Sequence, residues 1–380
     1  MKEKNIVVVL PTYNEKENVS SLIKALFDVG KTIQNWKLLV LVVDDRSPDG
    51  TGKVVKQLQK KYSNLYLIEG NKEGLGKAYQ RGFRYGLDEL DAHVLVEMDA
   101  DWSHNPKDLP KLVQQIERGA DMVIGSRYMP GGSIPDNWGW YRKLLSVGAN
   151  LIVRLGFMNL RQREWTNGYR MIKAWVAQKN LPEMGKYHGY LFQIAFLDKT
   201  LKLGARIDEV PIHFIDRTYG QSKINAKEYI MGIVSYILFN SSFIKYIVVG
   251  STGFILDFGI AYLLIHLFNG PKVLSNVLSA EVAIISNFLL NNFWSFKHHR
   301  ITGGPLVFMG KLFIFNLISS GSLVIQGFGL SLALKYIGDT VFNLGFMEIH
   351  SWIVYKASII IFIIIPYSYI LYTKVVWKKK

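Results

Sequence analysis

The chain has 380 residues, 49% of them hydrophobic and only 20% charged, with a net charge of +15 and no cysteine, so disulfides and thiolate metal sites are excluded. Residues 1 to about 225 read as an α/β domain, whereas long apolar runs dominate from about 240 onward, which predicts one globular domain followed by a membrane domain. With that much apolar chain, the basic surplus points to an anionic lipid surface and away from nucleic acid.

In chain order, Met1 to Asn5 leads straight into a strand-like run, Ile6 to Leu10, with no cleavable signal segment, so the globular domain is expected in the cytosol. Further β-rich runs are Leu38 to Val43, Leu65 to Ile68, His93 to Met98 and Met122 to Ile124, separated by helix-like segments such as Val19 to Val29 and Gly52 to Lys61. This alternation predicts a mainly parallel sheet covered by helices. Runs apolar at nearly every residue fit strands buried on both faces. Gly70 to Gly76 reads as a flexible loop entering a helix whose N-terminus could face an anion. There is no glycine-rich fingerprint after the first strand and no Walker A sequence.

Polar residues recur at the strand C-termini: Tyr13 and Glu15, Asp44 and Asp45, Asp99 and Asp101, and Arg127. In an open α/β sheet those ends converge on one crevice. The stretch Leu95-Val96-Glu97-Met98-Asp99-Ala100-Asp101-Trp102-Ser103-His104-Asn105-Pro106 delivers two carboxylates at the end of a buried strand. Carboxylates placed there can hold a hard divalent cation, and the cation can clamp a diphosphate. Oxygen donors without any cysteine suit Mg²⁺ or Mn²⁺ rather than zinc.

Pro11-Thr12-Tyr13-Asn14-Glu15 after the first strand, the Asp44-Asp45 turn with Ser47-Pro48-Asp49-Gly50-Thr51, and Asp99-Ala100-Asp101 together resemble family 2 glycosyltransferases with a GT-A fold. Met98 to Pro106, Glu209-Val210-Pro211-Ile212-His213-Phe214 and Asp216-Arg217-Thr218-Tyr219-Gly220-Gln221-Ser222-Lys223 resemble dolichyl-phosphate mannose synthases within that family. The resemblance covers most of residues 5–225. It implies inverting transfer of mannose from GDP-mannose to a dolichyl (polyprenyl) phosphate. It implies that Pro11, Tyr13, Glu15, Val42 and Asp44 surround the nucleoside, with Asp99, Ala100 and Asp101 against the nucleotide sugar. Gln193 matches a family glutamine and is expected to add a metal or phosphate contact beside Asp99 and Asp101.

The acceptor phosphate of such a reaction is already anionic near neutral pH, so the chemistry needs screening and positioning more than a base. Arg127, Arg217 and Lys223 are the candidates for that task, with Ser222 as a further donor. Where relatives often carry an aspartate, the segment Arg163 to Arg170 offers Glu164, which either takes over that role or marks a reaction without a carboxylate base. Gln162-Arg163-Glu164-Trp165 falls short of the Gln-x-x-Arg-Trp pattern of processive synthases, which favours transfer of a single sugar.

Asn137-Trp138-Gly139-Trp140-Tyr141-Arg142-Lys143 opens a candidate interfacial helix continuing to about Phe157, and a second runs from about Ala226 to Phe239. The expected division is therefore a GT-A (Rossmann-like) domain over residues 1–225, an interfacial linker over 226–240 and an all-α transmembrane domain over 241–380. Four spans are expected near 243–268, 274–296, 306–337 and 351–376, with Asp257, Glu281, Lys311 and Lys356 among their ionisable residues. Lys297-His298-His299-Arg300 and Lys378-Lys379-Lys380 place both termini in the cytosol by the positive-inside rule. Gly250 to Phe254 and Ser286 to Phe296 resemble the GtrA family of four-span proteins. Two alternatives stay open: a polyprenyl-phosphate glucosyltransferase using UDP-glucose, and a flippase of lipid-linked sugars with a sensor domain. Oligomeric state, a homo-oligomer included, is also open.

Overall fold

The computed structural model describes residues 3–187, 191–216, 226–343 and 348–378. The chain divides into two compact units, residues 1–155 with 159–236, and residues 156–158 with 237–380.

The first unit is built on a seven-stranded sheet. Its elements are β1 (Lys4–Thr12), α1 (Lys16–Gly30), β2 (Trp36–Asp44), α2 (Thr51–Gln59), β3 (Leu65–Glu69), α3 (Leu75–Asp88), β4 (Ala92–Glu97), α4 (Leu109–Glu117), β5 (Met122–Ser126), α5 (Trp140–Gly156, all but its last residue), β6 (Arg170–Lys173), α6 (Ala174–Met184), α7 (Leu191–Lys202), β7 (Ile207–Pro211) and α8 (Ala226–Asn240, as far as residue 236). The strand order is β3-β2-β1-β4-β6-β5-β7. All pairings are parallel except those of β6, which runs antiparallel to both β4 and β5. Ile6 to Leu10 and Val40 to Val43 are fully buried, as expected of central parallel strands covered on both faces.

The chain leaves β1 toward β2 and β3 on one side and returns to β4 on the other, so a switch point opens outside the carboxyl ends of β1 and β4. The five strands expected from apolar runs are all present. β6 and β7 lack the apolar run that marks the other strands in the sequence. β6 has only four residues and charged ends, and β7 is an edge strand ending in a proline.

Helix α3 lies unusually close to the sheet, which accounts for two of its glycines. A Cβ on Gly82 would stand 2.4 Å from Val9 Cγ1 and 2.9 Å from Val43 Cγ2, and one on Gly86 would stand 2.7 Å from Leu95 Cδ2. Gly82→Ala is expected to destabilise the protein by about 1–3 kcal/mol, because overpacking against β-branched core residues outweighs the helix-propensity gain of about 1 kcal/mol. A lowered thermal midpoint in detergent checks this, and an unchanged or raised midpoint contradicts it.

Helices α5 and α8 leave apolar faces uncovered. Trp140, Leu144, Val147, Leu151 and Leu155 recur at helical spacing and are exposed, Trp140 by 77%. Met231, Val234 and Leu238 do the same on α8.

In the second unit, among the described residues, four helices are long and apolar enough to cross a membrane: α9 (Ser242–His266), α10 (Lys272–Ser295), α11 (Pro305–Tyr336) and α12 (Ser351–Val376). They coincide with the expected spans to within a couple of residues at each end. Phe288, Phe296, Phe315, Tyr369, Tyr372 and Trp377 form an aromatic cluster. Asn292 Oδ1 accepts from Trp377 Nε1 at 3.0 Å and from the backbone N–H of Ile301 at 2.9 Å. Three of the ionisable residues find polar partners within the unit. Ser279 Oγ donates to Asp257 at 2.5 Å, Asn316 Nδ2 to Glu281 at 3.2 Å, and Lys311 Nζ to the Val375 carbonyl at 2.5 Å. Such pairing is expected of intramembrane polar groups.

Candidate active site

The loops after β1, β2 and β4 form the crevice. Each holds a non-glycine residue at left-handed φ: Asn14 at 63°, Arg46 at 50° and Trp102 at 68°. Such conformations persist where surrounding contacts over-determine them. Trp102 is anchored by its Nε1–H to Ser21 Oγ at 3.1 Å.

Asp44, at the end of β2, ties the first two loops together. Its carboxylate accepts from Thr12 Oγ1 at 2.8 Å, Ser47 Oγ at 2.6 Å and the Ser47 backbone N–H at 2.9 Å. Beyond it, Thr51 Oγ1 accepts from the Glu15 N–H at 3.0 Å. Tyr13 and Glu15 are half-buried, as is Pro11. Lys72 Nζ stands 3.5 Å above the Tyr13 ring. Val42 is 0% exposed inside the hydrophobic core, two residues before Asp44 on the same strand.

The aspartate loop is held by a chain of hydrogen bonds. The Asp99 N–H donates to His104 Nδ1 at 3.0 Å, and His104 Nε2 lies 2.9 Å from Asn167 Oδ1. Because Nδ1 accepts, the ring proton sits on Nε2 and is donated to Asn167. Asn167 in turn gives its amide to the Gly125 carbonyl at 2.6 Å, and His104 stacks on Tyr169 with centroids 5.0 Å apart. Asp101 accepts from the Ser103 N–H at 3.1 Å. The loop thus presents Asp99 with a side chain 35% exposed and keeps Asp101 nearly buried, beside the buried Ala100. His104 and Asn167 were not singled out in the sequence. Their common task depends on a contact across 63 residues.

Arg127 and Glu164 prove to be one unit. Arg127 Nε donates to Glu164 Oε2 at 2.8 Å and Nη2 to Oε1 at 2.9 Å, with Nη2 also 2.8 Å from Thr166 Oγ1. Burial alone would push the Glu164 carboxyl up and the Arg127 guanidinium down. The bidentate pair, with backbone N–H groups of Thr166 and Asn167 on the carboxylate, reverses both, so Glu164 stands below its ordinary value and Arg127 above. A carboxylate so engaged is a poor base. Among the described residues Arg127 Nη1 has no hydrogen bond. Arg217, Ser222 and Lys223 lie outside the described residues.

Gln193, on α7, is buried, and neither its Oε1 nor its Nε2 has a hydrogen-bond partner among the described residues. A Cβ on Gly168 would stand 3.2 Å from Gln193 Nε2 and 3.9 Å from Asp99 Oδ1, so the amide and the carboxylate flank one point of the chain. Among the described residues, no three His, Asp or Glu side chains are grouped to hold a metal by themselves. Two carboxylates and one amide oxygen do fit a cation that completes its shell with substrate phosphates and water. Glu97, at the end of β4, is pushed up to about 7 by complete burial, against the opposing pull of nearby Arg170 and Gln193.

A cavity of about 400 Å³ adjoins this loop. Asp99, Ser103, Arg127, Thr166 and Asn167 form its polar lining; Trp138, Tyr141, Leu145, Ala149 and Ile230 form its apolar lining. Arg142, also on the lining, pairs with Asp216 at 3.2 Å and stacks over Trp138 at 3.9 Å.

A GT-A sheet with carboxylates at its switch point, followed by four spans, defines a membrane-bound glycosyltransferase. Residues 7–195 match Glycosyl transferase family 2 and residues 245–377 match the GtrA/DPMS transmembrane domain. The chain is 32% identical over 303 residues to the dolichol-phosphate mannosyltransferase of Pyrococcus furiosus, covering 78% of this chain and 82% of that one. It is 40% identical over 221 residues to the undecaprenyl-phosphate mannosyltransferase of Micrococcus luteus, covering 58% and 87%. It is 38% identical over 221 residues to the polyprenol monophosphomannose synthase of Mycolicibacterium smegmatis, covering 58% and 80%. The chain belongs to glycosyl transferase family 2 and carries the GtrA/DPMS type of membrane domain.

Proposed function

We propose that this protein transfers mannose from GDP-mannose to dolichyl or another polyprenyl phosphate at the cytosolic membrane face, with inversion at the anomeric carbon and with Mg²⁺ or Mn²⁺ bound. One observation carries this: a single cavity lined both by Asp99 and Arg127 and by side chains of α5 and α8, the helices whose outer faces are apolar and uncovered. A polyprenyl phosphate is a charged head on a greasy chain and needs that combination. The mannosyltransferase names of the relatives support the sugar, and the clusters Lys297 to Arg300 and Lys378 to Lys380 support cytosolic termini.

Asp99, Asp101 and Gln193 would hold the cation, which when bound draws charge from the departing diphosphate. The acceptor phosphate oxygen forms the new bond to the anomeric carbon as the bond to GDP breaks, and the electron pair leaves with GDP. No proton need be removed, which agrees with Glu164 being committed to Arg127. Arg127 keeps Nη1 for an anion, while Glu164 offsets most of its charge. Arg217 and Lys223 remain the proposed further cations for the acceptor phosphate. Tyr13 and Glu15 remain the proposed contacts of the nucleoside.

Purified full-length protein given dolichyl phosphate and a panel of radiolabelled donors is expected to form mannosyl lipid from GDP-mannose and to stop when the cation is chelated. Glucosyl lipid from UDP-glucose without mannosyl lipid would overturn the choice of donor. Movement of lipid-linked sugar across liposomes with no transfer at all would favour a flippase.

A further inference from the structure

Beneath the aspartate loop lies a sealed group of polar side chains, of which the proposed transfer uses only Gln193. Glu97 is 0% exposed, and neither carboxylate oxygen has a hydrogen-bond partner among the described residues. The same holds for the Tyr79 hydroxyl and for both ends of the Gln193 amide. Arg170, the register partner of Glu97 across β4 and β6, is equally buried. It gives its guanidinium to three carbonyls, those of Asn167, Trp165 and Gln193, the last at 2.7 Å. Burying polar atoms without partners costs about 1–3 kcal/mol for each group. Such a cost persists in a folded protein where the groups serve a further task.

The geometry suggests what that task is. Gln193 neighbours both Glu97 and the loop of Asp99: its carbonyl takes the guanidinium of Arg170, the register partner of Glu97, its amide acts on the Glu97 carboxyl, and its Nε2 approaches the Gly168 position that also faces Asp99. A half-turn of an amide exchanges oxygen and nitrogen without changing its shape. Only the oxygen can ligate a hard cation. In its ionised form Glu97 accepts hydrogen bonds and donates none, so it then draws the NH₂ end to its own side and leaves the oxygen for the other.

We infer that Glu97 is a positioning residue for the cation site: it takes an N–H of the Gln193 amide and turns Gln193 Oε1 toward the ion held by Asp99 and Asp101. This rests on the proposed cation site. Partners that orient a ligand in this way commonly alter metal affinity about 10–100-fold when removed.

The test is Mn²⁺ binding to the purified full-length protein with GDP present, followed by the loss of the free-ion EPR signal. Glu97→Gln keeps the shape but both donates and accepts, so the Gln193 amide loses its single favoured orientation. Its Mn²⁺ dissociation constant is expected to rise about 10-fold. Glu97→Met, which neither donates nor holds an anion, should raise it further, toward about 100-fold. Either change should add almost nothing in a Gln193→Met background, whereas GDP affinity without metal stays as in the parent. Unchanged Mn²⁺ affinity in Glu97→Gln overturns the inference, as does a full additive loss in the Gln193→Met background. Asp101→Ala separates the two levels. If Asp101→Ala still binds Mn²⁺ normally, the cation site itself is misplaced. If Asp101→Ala loses the ion and Glu97→Gln does not, only the role of Glu97 fails.

Discussion

Asp101→Ala is expected to lower the turnover number at least about 1,000-fold, roughly 4 kcal/mol of transition-state stabilisation, while the protein stays folded. Charge develops on the diphosphate as the sugar bond breaks, and in the proposed mechanism a cation held at the aspartates would oppose it. The fold should survive because the loop is held mainly by other groups: the Asp99 N–H on His104, His104 on Asn167, and Trp102 on Ser21. Asp101 itself receives the Ser103 N–H at 3.1 Å, a contact whose loss is local. Steady-state kinetics at saturating donor and Mn²⁺, with a thermal melt alongside, check this. Retained turnover in a folded Asp101→Ala protein, or transfer unaffected by a chelator, would remove the basis of the mechanism.

The second large effect concerns stability. Glu164→Ala should destabilise the first unit by about 3–5 kcal/mol, because Arg127 would be left as a buried charge without its partner. Replacing both residues by apolar ones of similar volume should cost less than either single change, as the uncompensated charge then disappears. The pair also predicts a pH dependence. The Arg127 guanidinium and the backbone N–H groups on Glu164 hold its carboxyl below its ordinary value of 4.5 in the folded protein. Its contribution to stability is therefore fully present above about 4.5 and is lost as pH falls through the lower folded value. Denaturation midpoints measured between neutral pH and the acid limb should show that loss in the parent and not in the double replacement. If Glu164 were instead the reaction's base, Glu164→Gln would remove the acidic limb of the pH–rate profile and leave stability nearly unchanged.

Much of the site could be read locally. The strands β1, β2 and β4 are contiguous apolar runs, and the residues just after them must face the crevice, so Tyr13, Asp44, Asp99 and Asp101 could be located without coordinates. The spans were legible for the same reason, since a membrane helix is a property of about 20 consecutive residues. Arg127 shows the limit. The sequence offers a guanidinium at a strand end, and only the fold shows that two of its nitrogens are committed to Glu164.

What the sequence alone determined was the chemical inventory and its order along the chain: a carboxylate pair at a strand end, basic residues for an anionic acceptor, two amphipathic helices and four spans. All of these are written in short contiguous stretches. The tertiary structure alone decided which of those groups work together. The short strand β6 enters antiparallel between β4 and β5, which sets Arg170 opposite Glu97 and carries the segment of Glu164 and Asn167 to Arg127 and His104. No periodicity announces a four-residue strand. The pairings it creates join residues dozens of positions apart, and their energies depend on burial that only the folded chain provides.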